Sequence, residues 1–169
     1  VLPRLGTEWL GRPYLYEEEV DSTNTCLDKL AQRGGSHGTV MAANAQTHGR
    51  GRLQRDWHSP AGENLYFSVL LRPKWKIGAP LSLAAGIALA EAIAPILPTP
   101  PTLKWPNDLL FEGRKLAGIL VESCSDRGSV QHAIVGIGVN VNLTQFPEEL
   151  ENLAGSLCLA TGKPQQRAE

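Results

Sequence analysis

A long apolar run after residue 129 is the feature that most constrains the fold. From Val130 to Asn142 the chain reads V-Q-H-A-I-V-G-I-G-V-N-V-N, a composition typical of a buried β-strand. Gly136 and Gly138 stand at alternate positions in this run, so they face the same side of the strand. Because they carry no side chains, they leave room there for a ligand or for a closely packed backbone. The run therefore predicts a covered sheet with space beside one of its strands.

Segments upstream of this run alternate between strand and helix patterns. Tyr14–Val20 and Leu65–Arg72 have the composition of strands, and Leu83–Ile96 that of a helix. The helical segment is alanine-rich and is interrupted by Glu91 and Pro95, which predicts a buried helix rather than a membrane span. Antiparallel hairpin patterns follow. This order of elements predicts an α/β (or α+β) domain with a mixed sheet.

Composition limits the classes of partner. The 169 residues fit a single domain, 1–169, and carry 16 basic and 17 acidic side chains for a net charge of −1. A chain without a global positive field is not expected to bind DNA. The three cysteines show no C-x-x-C spacing, which predicts neither a disulfide framework nor a zinc site. A reducing cytoplasm is therefore expected, with no membrane partner.

The segment His48–Trp57, here called the arginine loop, reads H-G-R-G-R-L-Q-R-D-W. It combines three arginines with two glycines. Guanidinium groups bind phosphate or carboxylate through paired hydrogen bonds, and bare glycine N–H groups form anion-holding concavities. Taken alone, the loop is equally typical of a solvated basic turn or an RNA-contacting patch.

Four further stretches carry polar residues that a core does not require. They are D-S-T-N at 21–24, K-W-P-N-D at 104–108, R-K-L-A-G-I-L-V-E at 114–122 and V-G-I-G-V-N-V-N at 135–142. Each has an ordinary interpretation: a helix cap, a turn, a solvated hairpin residue or a strand-end amide. Their joint occurrence, in this order and with these spacings, favours a functional interpretation.

The motifs G-R-G-R-x-x-R-x-W, K-W-P-N-D and K-L-A-G-I-L-V-E together resemble the catalytic domain of biotin protein ligases, over about residues 14–145. The resemblance implies the fold shared with lipoate protein ligases and octanoyl transferases, a mixed sheet flanked by helices. It implies an adenylate-forming ligase that joins biotin to ATP. The biotinyl-5'-adenylate then passes its biotinyl group to one lysine of a biotin carboxyl carrier domain.

The chain departs from the family pattern in two respects. Gln54 stands between the second and third arginines, where the family commonly has glycine, so the loop backbone is expected to close differently. The chain also stops where a further helix and a small C-terminal β domain usually follow, and it lacks an N-terminal helix-turn-helix. A catalytic domain truncated at its C-terminus is therefore expected.

The resemblance assigns roles in biotin binding residue by residue. Arg50 matches the arginine that holds the biotin carboxylate and later the acyl phosphate, and Lys115 matches the lysine that contacts the carboxylate and α-phosphate. Gly118 leaves space for biotin. The full biotin set is Ser22, Thr23, Asn24, Gln46, Arg50, Gly51, Arg52, Lys115 and Gly118.

A second set is implied for ATP and for the chemistry. Trp57 matches the ring on which adenine packs, and Asp108 is a candidate base for the incoming amine. The ATP set is Arg52, Arg55, Trp57, Lys104, Asn107 and Asn140, and the catalytic set is Lys115, Arg50, Arg52 and Asp108. Bringing a carboxylate to a phosphate opposes two anions, so fixed cations are required. Mg2+ is expected to be held mainly by the substrate phosphates, without a dedicated protein site.

Two alternatives remain at this stage. One is a lipoate or octanoate ligase or transferase of the same fold, and the other is a nucleic-acid-binding module that uses the arginine loop. The ureido ring of biotin needs several polar partners, whereas an octanoyl chain needs none, so Ser22, Thr23 and Gln46 favour biotin. The charge balance disfavours an RNA binder. The sequence leaves monomer and homodimer open.

Overall fold

A computed structural model of the chain describes residues 5–73, 80–126 and 129–167. These residues form one seven-stranded sheet. Its strands are β1 (Tyr14–Val20), β2 (Val40–Gln46), β3 (Leu65–Leu71), β4 (Thr102–Lys104), β5 (Asp108–Phe111), β6 (Arg114–Asp126) and β7 (Ser129–Val139). The spatial order is β1-β2-β3-β7-β6-β5-β4, in which β1 and β2 are parallel and the other neighbours are antiparallel. The expected mixed α/β fold is confirmed.

Helix α1 (Thr23–Gln32) connects the two parallel strands β1 and β2. The helix begins directly after Ser22, whose backbone is extended, and the chain leaves it through Gly34, which has a φ of +86°. Glycine adopts this left-handed conformation without a steric penalty. The apolar side of α1 packs on the sheet in a cluster formed by Leu27, Ala31, Met41, Leu70 and Ile134. This packing fixes the N-terminus of α1 above β3 and β7.

Helix α2 (Pro80–Ile93) is less buried than its composition predicts. Leu83 is 46% exposed and Ile87 is 45% exposed, so the expectation of a buried helix is wrong. Only one side of α2 contacts the sheet, where Gly86 allows close approach to Leu103 and Ile119. Because α2 is apolar on most of its sides, its sequence does not indicate which face packs against the sheet. None of the helices in the described ranges is long and apolar enough to cross a membrane.

Bare backbone runs across the middle of the sheet. Gly118 of β6 pairs with Gly138 of β7, and Gly136 of β7 pairs with Leu120 of β6. Directly paired residues point to the same face, so the three glycines form a floor of bare backbone, bordered by the side chain of Leu120. The start of α1, the end of β2 and the arginine loop surround this floor. The space predicted from the alternate glycines therefore lies at the centre of the fold.

Candidate active site

A cavity of about 50 Å³ lies above the glycine floor. All nine residues of the predicted biotin set line it, as do Trp57 and Asn107. The indole of Trp57 covers the floor, because a Cβ atom added to Gly118 would lie 2.8 Å from its ring and one added to Gly138 would overlap its Nε1 atom. That nitrogen is buried and has no hydrogen-bond partner within the described part of the chain. The tryptophan side chain thus takes up much of the cleft.

One side of the cleft is a wall of neutral polar groups, here called the polar wall: Ser22, Thr23, Asn24, Gln46 and Ser68. The Gln46 side-chain oxygen accepts hydrogen bonds from the Thr23 backbone N–H at 2.9 Å and from its hydroxyl at 3.2 Å. The Ser68 hydroxyl lies 2.7 Å from the Thr23 hydroxyl and 2.6 Å from the Asn24 side-chain oxygen. These contacts fix the wall before any ligand arrives.

Ser22 behaves differently from an ordinary helix cap. It occupies the N-cap position of α1, but its side chain makes no capping hydrogen bond. It is only 2% exposed and lines the cavity. Serine at this position normally accepts from a backbone N–H one turn into the helix. Ser22 therefore lines the cavity without its hydroxyl being used as a helix cap, and its assignment to biotin stays a prediction.

The arginine loop is a tight loop whose two ends are joined by backbone hydrogen bonds. Trp57 donates its N–H to Gly49 O at 2.8 Å, and Gly51 donates to Arg55 O at 2.7 Å. Gly49 is required here, because a Cβ atom would overlap Trp57 O. At the tip, Leu53 and Gln54 have φ angles of +56° and +59°. Gln54, where glycine is common in the family, therefore carries the left-handed conformation that glycine adopts most easily.

Arg50 approaches the cleft from the loop and is held by a carboxylate of the sheet. Its Nη2 atom lies 2.6 Å from Glu122 Oε1. The other oxygen of Glu122 accepts from Asn24 Nδ2 at 2.7 Å. The loop and the polar wall are therefore connected through one acidic side chain.

Lys115 lies at the opposite side of the cavity. Its Nζ atom is 2.6 Å from Asp108 Oδ1 and 5.2 Å from the centre of the Trp57 ring. Both charged side chains are partly buried, with exposed fractions of 31% and 23%. A desolvated ammonium beside an aromatic face gains a cation–π attraction. The cleft thus has a fixed cation on each side, Arg50 and Lys115.

A larger cavity of about 620 Å³ adjoins the first on the outer side of the loop. Arg50, Arg52 and Arg55 line it together with Asn107. Arg52 donates to Asn107 Oδ1 at 3.2 Å, which is the hydrogen bond that links the tip of the loop to the K-W-P-N-D turn. Asn107 in turn donates to Ile119 O at 3.0 Å. Three guanidinium groups beside an open cavity suit a polyanion.

Two predicted ATP residues lie outside both cavities. Lys104 is exposed on β4, and Asn140 is 5% exposed beneath the site. The Asn140 amide donates to the backbone oxygens of Lys115 at 3.3 Å and Gly155 at 3.0 Å. It therefore supports the backbone that carries Lys115. The assignments of Lys104 and Asn140 to ATP stay predictions.

Sequence reasoning missed three residues of the site: Glu122, Ser59 and Ser68. Ser59 accepts from Gln46 Nε2 at 3.0 Å and donates to Trp57 O at 2.8 Å. Ser68 is a serine among apolar and aromatic residues of β3, whereas Glu122 lies where β6 changes from apolar to polar residues. A lone polar residue in a buried strand must find a partner, and this signal could have identified Ser68.

The fold and the cleft define a class of protein: a mixed α/β domain with a loop of three arginines above a glycine floor. The chain belongs to the biotin/lipoate A/B protein ligase family, whose family model matches residues 16–140. The resemblance inferred from the motifs is confirmed.

Named relatives agree with this membership. The chain is 38% identical to the bifunctional ligase/repressor BirA of Bacillus subtilis over 168 residues, which is 97% of this chain and 52% of that protein. It is 42% identical to the biotin–[acetyl-CoA-carboxylase] ligase of Mycobacterium tuberculosis over 147 residues, 82% of this chain and 52% of that protein. The chain thus spans about half the length of these curated relatives.

A solved structure extends the comparison to the fold. The biotin protein ligase from Aquifex aeolicus in complex with biotin and ATP superposes with a TM-score of 0.79 at 42% identity. The match covers 92% of this chain and 63% of that one.

Proposed function

We propose that the chain joins biotin to ATP and then transfers the biotinyl group to a lysine of a biotin carboxyl carrier domain. One observation carries the proposal: Arg50 and Lys115 flank a cavity whose wall offers Ser22, Thr23 and Gln46. A bicyclic urea needs several neutral hydrogen-bonding groups, and its carboxylate needs a cation. The Aquifex relative, which binds biotin and ATP, supports the same assignment.

The first step must bring together two negatively charged groups, the biotin carboxylate and the α-phosphate of ATP. The biotin carboxylate oxygen attacks the α-phosphorus of ATP, a bond to the carboxylate forms, and the bond to pyrophosphate breaks. Negative charge gathers on the α-phosphate oxygens in the transition state. Arg50 and Lys115 are fixed in place before the reaction, so they can offset that charge without reorganising. Trp57 and Arg55 are assigned to the adenine and the phosphates.

Mg2+ fits the donors that lie beside Lys115. This ion keeps most of its waters and binds through substrate phosphates with one or two protein groups. Asn107 lines both cavities and Asp108 pairs with Lys115, and their amide oxygen and carboxylate would hold the ion. When bound, the ion would neutralise phosphate charge.

The second step transfers the biotinyl group. The carrier lysine attacks the acyl carbon of biotinyl-5'-adenylate, an amide bond forms, and AMP leaves with the bonding electrons. The attacking amine must lose a proton. Asp108 is the candidate acceptor that the family resemblance implies; its carboxylate pairs with the Lys115 ammonium at 2.6 Å and must leave that ion pair to act as a base. A cytoplasmic location for the reaction belongs to the same proposal.

The test is to incubate the chain with ATP, Mg2+ and one acid at a time: biotin, lipoate or octanoate. Mass spectrometry should detect biotinyl-5'-adenylate and little of the other two adenylates. A carrier domain added afterwards should gain one biotinyl group on one lysine. Preferential formation of lipoyl- or octanoyl-adenylate would overturn the biotin assignment in favour of the alternative ligase.

A further inference from the structure

Glu122 has no role in the assignments above, yet its carboxylate makes two strong contacts in the cleft. One oxygen lies 2.6 Å from Arg50 Nη2 and the other accepts from Asn24 Nδ2 at 2.7 Å. Its side chain is 34% exposed, so the charge is partly desolvated. Charge-assisted hydrogen bonds of this length are the stronger kind in proteins.

The surroundings of Glu122 hold the contact to Asn24 in one orientation. Asn24 reaches across β7 only because residue 136 is glycine, since a Cβ atom there would overlap the Asn24 side-chain oxygen. Ser68 lies 2.6 Å from that oxygen, so the amide nitrogen must point to Glu122. Asn24 is 4% exposed and Ser68 is fully buried. The Glu122 carboxylate is thus anchored to the rigid polar wall.

A hydrogen-bonded path also returns from the wall to the far end of the arginine loop. It runs from Asn24 and Ser68 through Thr23 and Gln46 to Ser59, which donates to Trp57 O at 2.8 Å. Glu122 closes the circuit at Arg50. Both ends of the arginine loop are therefore connected to the same network of polar side chains in the polar wall.

We propose that Glu122 is a positioning residue: anchored by Asn24, it orients the Arg50 guanidinium toward the carboxylate of the acid substrate. The inference rests on the proposed function. A guanidinium has five N–H donors, and the contact with Glu122 uses its Nη2 atom, so other donors remain for the substrate. Because Asn24 fixes the carboxylate independently of the loop, Glu122 stays in place when substrate binds.

The test compares Glu122→Gln and Glu122→Asp with the native chain. Glu122→Gln removes the negative charge. Glu122→Asp keeps the charge, but its shorter side chain moves the carboxylate away from both Arg50 and Asn24. Each should raise the KM for biotin about 10- to 100-fold in a pyrophosphate-release assay, as a misplaced binding group does. The KM for ATP should change less than about threefold. Asp28→Asn, which alters the carboxylate paired with His132 at 2.8 Å, is the matched control and should change neither constant.

A double-mutant cycle with Arg50→Ala separates positioning from general support. If Glu122 acts through Arg50, Glu122→Gln should change the biotin KM by less than about twofold when Arg50 is already absent. Fully additive effects of the two substitutions would overturn the proposal. So would a lower biotin KM in Glu122→Gln, because Glu122 would then compete with the substrate.

Limited trypsin digestion tests the same contact without any substrate. Cleavage after Arg50, Arg52 and Arg55 in the ligand-free protein should be several-fold faster in Glu122→Gln than in the native chain or Asp28→Asn, at equal melting temperature. Equal cleavage rates would overturn the proposal. A native chain that makes no biotinyl-adenylate would instead overturn the proposed function, and the cleavage rates would still decide whether Glu122 holds the loop.

Discussion

The polar wall and the arginine loop face each other across the same cleft, yet different kinds of contact hold them. Thr23, Asn24 and Ser68 of the wall are each at most 4% exposed and are bonded to one another or to Gln46. The side chains of residues 52–56 in the loop are all exposed. The wall is therefore held by buried hydrogen bonds, while the side-chain contacts of the loop are the ion pair of Arg50 with Glu122 and the hydrogen bond of Arg52 with Asn107. Substitutions in the wall should cost stability, and substitutions around the loop should cost chemistry.

Lys115→Ala should have the largest effect of these substitutions on turnover. The lysine is placed to offset charge on the carboxylate and α-phosphate, and loss of such a group typically lowers turnover by on the order of 10²-fold or more. The rate of pyrophosphate release in the presence of biotin and ATP measures this turnover. Lys29→Ala, which removes the exposed partner of Asp21, is the control. Unchanged turnover would remove Lys115 from the site.

Trp57→Ala tests the residue at which the arginine loop meets the cavity beside the polar wall. Stacking of an aromatic ring on a base contributes about 1–3 kcal/mol, so the KM for ATP should rise roughly 5- to 150-fold. The KM for biotin should change as well, because the ring lies over the glycine floor of the cavity that the biotin set lines; a rise in the biotin KM alone would assign the ring to the acid rather than to adenine. Trp9→Ala, which removes a ring stacked on His37, is the control. If Trp57→Ala unfolds the chain, the ring serves the core rather than adenine.

Ser68→Ala, a substitution in the polar wall, should lower the stability of the chain rather than the rate of its reaction. The substitution leaves the buried Asn24 oxygen without its hydroxyl partner, which should lower the free energy of unfolding by about 1–3 kcal/mol. Urea denaturation measures this. Ser36→Ala at an exposed site should stay within about 0.5 kcal/mol of the native chain. An equally small effect at Ser68 would mean that the wall is not specified by its hydrogen bonds.

Gln54→Gly should have the smallest effect, and it should be favourable. A non-glycine residue in the left-handed region costs about 1–2 kcal/mol, and part of this is recovered by glycine at a φ of +59°. We expect up to about 1 kcal/mol of added stability and slower trypsin cleavage of the loop. Gln32→Gly, at the end of α1, should instead destabilise the chain. Destabilisation by Gln54→Gly would show that the loop prefers another conformation.

The sequence could predict what depends on local pattern. The strands and the space beside the alternate glycines followed from alternation and turn chemistry, whereas the convergence of Arg50 and Lys115 on one cleft was implied by the family resemblance. The contact between Asn24 and Glu122 could not be foreseen, because it joins residues 98 positions apart. The exposed face of α2 was also hidden, since an apolar, alanine-rich helix has no polar side to mark its orientation.

In the proposed function, the polar wall binds the acid while the arginine loop retains the intermediate. Arg52 donates to Asn107 at 3.2 Å across the mouth of the cleft, so removing it should open the loop without disturbing the wall. The measurement is the dissociation rate of biotinyl-5'-adenylate from the native chain and from Arg52→Gly. We predict that the variant still makes the adenylate but releases it about tenfold faster, with diffuse biotinylation of bystander lysines. Equal dissociation rates, together with trypsin cleavage of the loop that biotin does not slow, would contradict this role of the arginine loop.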